Sequence, residues 1–103
     1  MSHFQTEELV EQLEQDEANH LEVLDEESLT VEISRYSEGE YPPGNVHDED
    51  ELYYILSGAG TVEVDDEMHS IEGGDVVYVE RGTEHGFVEV DEDITVVIAF
   101  VAN

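Results

Sequence analysis

Lysine is absent from this chain, and so is cysteine. Without cysteine there is no disulfide framework, no thiolate zinc site and no thiol nucleophile, and the omission fits any compartment. The only strong bases are Arg35 and Arg81, set against 29 Asp and Glu, for a formal charge of −27. Such a chain repels phosphate instead of neutralising it, which argues against a nucleic-acid partner and against docking on an anionic membrane. Long apolar runs are missing too. The longest, Val96 to Ala102, is far short of the about 20 residues a spanning helix needs. Met1 to Glu8 holds neither the basic nor the apolar stretch of a signal peptide, so the expectation is a soluble cytoplasmic protein. There is no internal repeat and no linker, and 103 residues fit one domain with one modest core.

Three readings of the acidity compete. High net charge opposes collapse and suits disorder, but apolar residues alternate in strand patterns through most of the chain. A cation-storing or cation-bridging surface is the second. The third, and best supported, is a very salty cytoplasm. At molar salt the Debye length falls to about 3 Å, so repulsion between carboxylates is largely screened. A carboxylate-coated surface then stays hydrated at little cost. A halophilic source follows, an archaeon above all.

Residues 1–19 read as an N-terminal helix or arm, and 20–103 as a barrel domain. Ser2 with Gln5 resembles a capping box, Glu7 and Glu8 suit a helix N-terminus, and Phe4, Leu9, Val10 and Leu13 form a thin apolar stripe. From Leu21 the period switches to two. Strands are expected at Leu21–Val23, Leu29–Tyr36, Leu52–Leu56, Thr61–Val64, Met68–Ile71, Asp75–Val79, Phe87–Val90 and Ile94–Val101. Turns fall at Ser57–Gly60 and Asp65–Asp66, and a loop at Gly39–Gly44. Seven or eight short strands without crossover helices argue an all-β antiparallel sandwich or barrel. The last strand is apolar on both faces, so its outer face needs cover. The N-terminal helix or a second subunit would supply it, with Tyr54 and Leu56 joining in, and a homodimer is expected.

Chemistry concentrates in two segments, Asn45 to Gly58 and Gly74 to His85. Two imidazoles and a carboxylate, His47, Glu51 and His85, can make a three-ligand metal site with open positions. Residues two apart on a strand share a face, so Asn45 goes with His47, Glu51 with Tyr53, Ile55 and Ser57, and His85 with Phe87 and Glu89. If those faces all point inward, Asn45, His47, Glu51 and His85 converge, walled by Tyr53, Ile55, Phe87, Tyr78 and Val62 or Val64. Plainer readings stand beside these. His47 can be a loop histidine with acidic neighbours, Glu51 one surface acid among 29, Tyr53, Tyr54 and Phe87 core residues, and Glu89 a solvated acid rather than an interior base. Arg81 lies near His85, where it can hold an anionic substrate or pair with neighbouring carboxylates. His3, His20 and His69 have no partner at ligand spacing and read as surface residues.

Gly39, Asn45, His47, Glu51 and Gly58 follow one another at the spacings of a first cupin motif, and Gly74, Glu80, Gly82, His85 and Glu89 at those of a second. The chain resembles a small single-domain cupin of the type-2 conserved barrel, haloarchaeal members in particular. The resemblance implies an antiparallel jelly-roll barrel with a short N-terminal helix. It also implies one divalent transition metal, Fe, Zn, Mn or Ni, held by His47, Glu51 and His85. Asn45 stands where the family's first metal-binding His would be and is at best a weak oxygen donor. Glu80 replaces a turn proline and Glu89 a terminal Asn. The implied function is a metal-binding domain with a small-molecule pocket, a non-haem oxygenase or an isomerase, in which Glu51 holds the metal or acts as base and Tyr53 donates a hydrogen bond to substrate. Loss of the first His favours a non-catalytic ligand-binding or sensing barrel instead. A third reading is a metal-free acid–base isomerase using His47 or His85 with Glu51.

If the acidity is an adaptation to salt, the thermal midpoint should rise by roughly 10 °C between about 0.1 and 2 M KCl. A midpoint that does not move with KCl would remove that reading.

Overall fold

The protein was analysed as a computed structural model that describes residues 3–16, 19–39 and 49–101. Helix α1 (Thr6–Gln15) leads into strands β1 (His20–Asp25), β2 (Leu29–Tyr36), β3 (Asp50–Val64), β4 (Glu67–Glu72), β5 (Val76–Val79) and β6 (His85–Val101). The pairings are antiparallel and run in the order β1-β2-β6-β3-β4, with β5 joining β3 beside its first half. This is the jelly-roll barrel with a short helix that the sequence implies. No described helix is long and apolar enough to cross a membrane.

β3 and β6 build the barrel between them. They pair along their whole length, from Asp50 opposite Val101 to Val64 opposite His85. Run straight, a strand as long as β3 would reach about 50 Å, yet the molecule's longest extent is 36 Å. Both strands therefore bend, and the register shifts four times between Ile55 and Val62. Bulges of this kind increase twist and turn a strand from one sheet into the next. Gly58 has φ +96°, and a Cβ there would stand 2.2 Å from the Asp93 carbonyl oxygen. A Cβ on Gly60 would stand 2.3 Å from that of Glu89. Only glycine lets the two backbones come this close.

This bend explains the main departure from the sequence reading. Ser57–Gly60 looks like a turn between two short strands, but the chain carries on through it as one strand, and Phe87–Val90 and Ile94–Val101 are likewise one. The count is six strands among the described residues, two of them long, not seven or eight. The Asp65–Asp66 turn is where it was expected, both residues in the left-handed region (φ 50° and 68°). The helix is shorter than expected. Its N-cap is Gln5, without a side-chain capping bond, and Ser2 lies outside the described residues. Of the Gly39–Gly44 loop only Gly39 is described.

The core is the inward row of β3 and β6 with its neighbours: Tyr53, Ile55, Val62, Ile71, Phe87, Val90, Ile94, Val96 and Ile98, all buried. Outside, Leu13 of α1 and Ile33 of β2 are buried as well. Arg35, on the same outward face of β2 as Ile33, reaches Glu14 of α1 at 3.8 Å, so the helix lies over that face. Farther round, Leu52, Tyr54, Val76 and Tyr78 remain 43–60% exposed, the apolar outer surface to which an expected second subunit would fall.

Gly58→Ala should cost about 3 kcal/mol or more, from the positive φ and the backbone clash together. Gly82→Ala has a positive φ but nothing within 4 Å of the added carbon, and should cost about 1 kcal/mol. Urea unfolding in molar KCl measures both, and equal losses would show that close packing at the bend is not what selects Gly58.

Candidate functional site

Glu51 and Tyr53 are inward residues of the first half of β3, and His85 is the first residue of β6. His85 follows a tight turn in which Gly82 takes φ +75° and the Thr83 N–H donates to the Glu80 carbonyl at 3.2 Å. By register His85 pairs with Val64, at the far end of β3 from Glu51. Nevertheless its Nε2 lies 2.7 Å from Glu51 Oε2, and both side chains are 2% exposed. The bend in β3 brings them together, so barrel closure and site assembly are one event.

The pair's protons follow from its neighbours. His85 Nδ1 is 2.9 Å from the Thr83 carbonyl oxygen. A carbonyl only accepts, so Nδ1 carries a hydrogen and donates, leaving Nε2 to face the carboxylate. At 2.7 Å, Nε2 and Oε2 are close enough to share a proton. Accordingly the Glu51 hydrogen bond, against the opposing effect of burial, holds the imidazole pKa above its ordinary value, with the Thr83 carbonyl adding to the rise. Tyr53 donates a long hydrogen bond to Glu51 Oε1, 3.4 Å. Burial first, then the Glu51 charge, push the Tyr53 hydroxyl well above the ordinary phenol range, so it stays a donor. Its ring stacks on Phe87 with centroids 5.7 Å apart, and Phe87 meets Tyr36 at 5.0 Å.

These residues suit a metal. Nε2 and Oε2 are a nitrogen and an oxygen donor aimed at one buried point. The other ring nitrogen is tied to a backbone carbonyl, the outer contact that orients metal-binding histidines. A divalent cation would take the place of the shared proton. Among the described residues no group of three or more His, Cys, Asp or Glu is gathered to hold an ion. His47 and Asn45, the other two candidate ligands, lie outside the described residues.

Other sequence assignments fare unevenly. Tyr53, Ile55, Phe87 and Val62 line the interior as expected, all 5% exposed or less. Tyr78 does not. It points outward, 60% exposed, and Val79 takes the inward place. Ser57 is exposed too, because the register shifts displace it from the face that a strict two-residue period gives it, and Glu89 is exposed, in keeping with its reading as a solvated acid. Arg81 is bound to Asp50 by its backbone N–H (2.9 Å), its Nε (3.4 Å) and its NH2 group (3.3 Å). Those contacts hold the Asp50 carboxyl below its usual range. His3 and His69 are exposed.

Sequence reasoning missed Glu32 and Ser34, whereas His20, its side chain 54% exposed, is the surface residue it was read as. The alternation in β2 was legible, but alternation alone assigns neither side to the interior. In the structure Glu32 pairs with Ile98, which pairs with Tyr53, and Ser34 pairs with Val96, which pairs with Ile55. The polar side of β2 therefore faces in, and Ile33 faces out beneath the helix. The available signal was the helix itself, whose stripe needs an apolar strand face to cover.

Comparison with known proteins agrees with this fold. The cupin-domain family model matches residues 32–101. An uncharacterized protein of Streptomyces coelicolor is 29% identical over 100 residues, 97% of this chain and 95% of its own. The HTH-type transcriptional activator RhaR of Mannheimia succiniciproducens is 37% identical over 78 residues, 73% of this chain but only 27% of that protein. Among solved structures, KdgF from Halomonas sp. superposes with a TM-score of 0.75 at 24% identity, over 82% of this chain and 77% of that one.

The proton shared by His85 and Glu51 predicts a pH dependence for the metal-free protein. Above the ordinary imidazole value of 6.5, the folded state keeps a proton that the unfolded chain has released. The pair's contribution is therefore complete below 6.5 and drains away as pH rises through the raised folded pKa. Urea unfolding in chelator across that range should show the loss, and Glu51→Gln should flatten it. An unchanged slope in Glu51→Gln would mean the pair does not share a proton.

Proposed function

Because the chain belongs to the cupin-domain family, we propose that it is a metal-binding barrel with a small-molecule pocket, acting as a non-haem metal-dependent oxygenase or isomerase. The observation that carries this reading is the buried Glu51–His85 contact at 2.7 Å. Burying a carboxylate and an imidazole costs several kcal/mol, roughly, unless each is compensated, and a core built only for stability would use apolar side chains here. Glu51 and His85 would hold the ion, completed by His47 with Asn45 from the neighbouring segment. The ion would supply Lewis acidity and open coordination positions, as Fe, Zn, Mn or Ni can in such a ligand set.

The chain's own residues do the rest. The Thr83 carbonyl fixes the His85 ring so that Nε2 faces the pocket. The Tyr53 hydroxyl, kept protonated, donates to one carboxylate oxygen and leaves the other for the ion. Tyr53, Phe87 and Ile55 exclude water from the back of the site. Glu51, if not held by the ion, would be placed to act as a base, with Tyr53 donating to its carboxylate.

The similarity to part of a transcriptional activator favours a second reading, a ligand-sensing barrel without turnover. The two separate by metal content. Untagged protein purified in molar KCl should carry about one equivalent of transition metal, and the His47→Ala/His85→Ala double variant should carry none while keeping its β-sheet circular dichroism. Stoichiometric metal in the double variant would sink the assigned ligands. A folded, metal-free wild type would leave the sensing barrel.

A further inference from the structure

The turn that delivers His85 to Glu51 is held by little backbone. β5 pairs with β3 only as far as Val79, which stands opposite Glu51, and β6 begins at His85. Between them, Glu80 to Glu84 belong to no strand. Outside the strand ladders, two backbone hydrogen bonds among the described residues hold this stretch. The Thr83 N–H donates to the Glu80 carbonyl at 3.2 Å, and the Asp65 N–H to the Glu84 carbonyl at 3.0 Å. In the middle stands Gly82 with φ +75°, and glycine is the residue with the most backbone freedom. A turn so built drifts unless something else fixes it. The Thr83 carbonyl, which orients the His85 ring, drifts with it.

Asp50 supplies what the ladder does not. It is the first residue of β3, next to Glu51, and its carboxylate reaches Arg81, just past the end of β5. Oδ1 accepts from the Arg81 backbone N–H at 2.9 Å and from Nε at 3.4 Å, and Oδ2 accepts from the NH2 group at 3.3 Å. The first bond carries the hold of β3 on β5 beyond Val79, with a side chain in place of a backbone carbonyl. The other two form a charged fork, which fixes direction as well as distance. These contacts close a ring. Glu51 is joined to Asp50 by a peptide bond, Asp50 to Arg81 by three hydrogen bonds, and Arg81 to Thr83 through Gly82. Thr83 then meets His85 Nδ1 at 2.9 Å, and His85 Nε2 returns to Glu51 Oε2 at 2.7 Å. In molar salt the Debye length is about 3 Å, so a charge must be in contact to act. Arg81, one of two strong bases in the chain, is in contact.

We propose that Arg81 is a positioning residue for the metal centre. Through Asp50 it fixes the Glu80–Thr83 turn against the start of β3, and so keeps His85 Nε2 and Glu51 Oε2 converging on one point. The inference rests on the metal reading above. The sign of its effect sets it apart from two plainer roles. A guanidinium near a cation site repels the ion, so by charge alone removing Arg81 tightens metal binding. Removing the anchor of the turn loosens it. A role in folding stability alone would leave affinity unmoved, and an ion pair whose side chains are 39% and 22% exposed adds little to stability.

Zinc affinity tests it, measured on the full chain in molar KCl by competition with a chromophoric chelator. Arg81→Ala should weaken zinc about ten-fold, as losing a contact behind a metal ligand commonly does. Its urea midpoint should stay within about 0.5 M of wild type. Arg81→Lys keeps the charge and the backbone N–H but loses the fork, and should fall between the two. Asp50→Asn should cost about five-fold in wild type but no more than about two-fold in Arg81→Ala, because the two residues act as one unit. Zinc held by Arg81→Ala as tightly as by wild type, or more tightly, overturns this inference and leaves the metal reading standing. A urea midpoint that falls by more than about 1 M in both Arg81→Ala and Arg81→Lys makes Arg81 a general stabiliser and overturns it as well. Wild-type protein that takes up no zinc, iron, manganese or nickel overturns the metal reading and this inference with it.

Discussion

The close approach of β3 to β6 at Gly58 and Gly60 is the constraint from which the rest of the barrel follows. Two strands of 15 and 17 residues pair from end to end, and neither fits the molecule unless it turns. The turn is made where glycines let the backbone oxygens of Asp93 and Glu89 come within 2.3 Å of where a Cβ would be. Past that point β3 belongs to the opposite wall. A residue paired with its far end can then touch a residue near its start, which is how His85 meets Glu51.

The contact so formed is expensive in isolation. A buried ion pair seldom repays its desolvation through Coulomb attraction alone. Here the compensation is distributed: the Thr83 carbonyl takes the Nδ1 hydrogen, Tyr53 donates to one carboxylate oxygen, and the remaining two atoms stand close enough to share a proton. The first two are fixed by the fold, and the third is exchangeable. A cation of the right size can replace a proton held between a nitrogen and an oxygen donor without disturbing either outer contact. On the proposed metal reading, the same arrangement that makes the metal-free pair tolerable would leave it ready for an ion.

The sequence revealed the barrel and the inner pair, because both rest on spacing. Glu51 and His85 sit at fixed distances from Gly58 and Gly82, and period-two alternation marks Tyr53, Ile55 and Phe87 as neighbours of the site. It concealed what depends on a broken period. A bulge does not change composition, so Ser57 kept an inward assignment that the register shifts cancel, and Ser57–Gly60 passed for a turn. Nor does alternation say which side of a strand is inside. β2 shows both an apolar and a polar face, and the choice between them is made by α1, ten residues of helix that bury Leu13 over the outward face where Ile33 also disappears. Tyr78 fell to the same ambiguity in reverse.

That choice also gives the acidity of the chain an internal meaning. Outside, carboxylates without lysine suit a surface screened by concentrated salt. Inside, salt cannot screen, and the same composition would act directly on a ligand bound there. With both arginines tied to acids at the outer surface, the interior has carboxylates, imidazoles and hydroxyls and no strong base. A composition selected for solubility would thereby narrow the chemistry of the pocket, because the only strong positive charge that such an interior can present to a ligand is one that it has first bound itself.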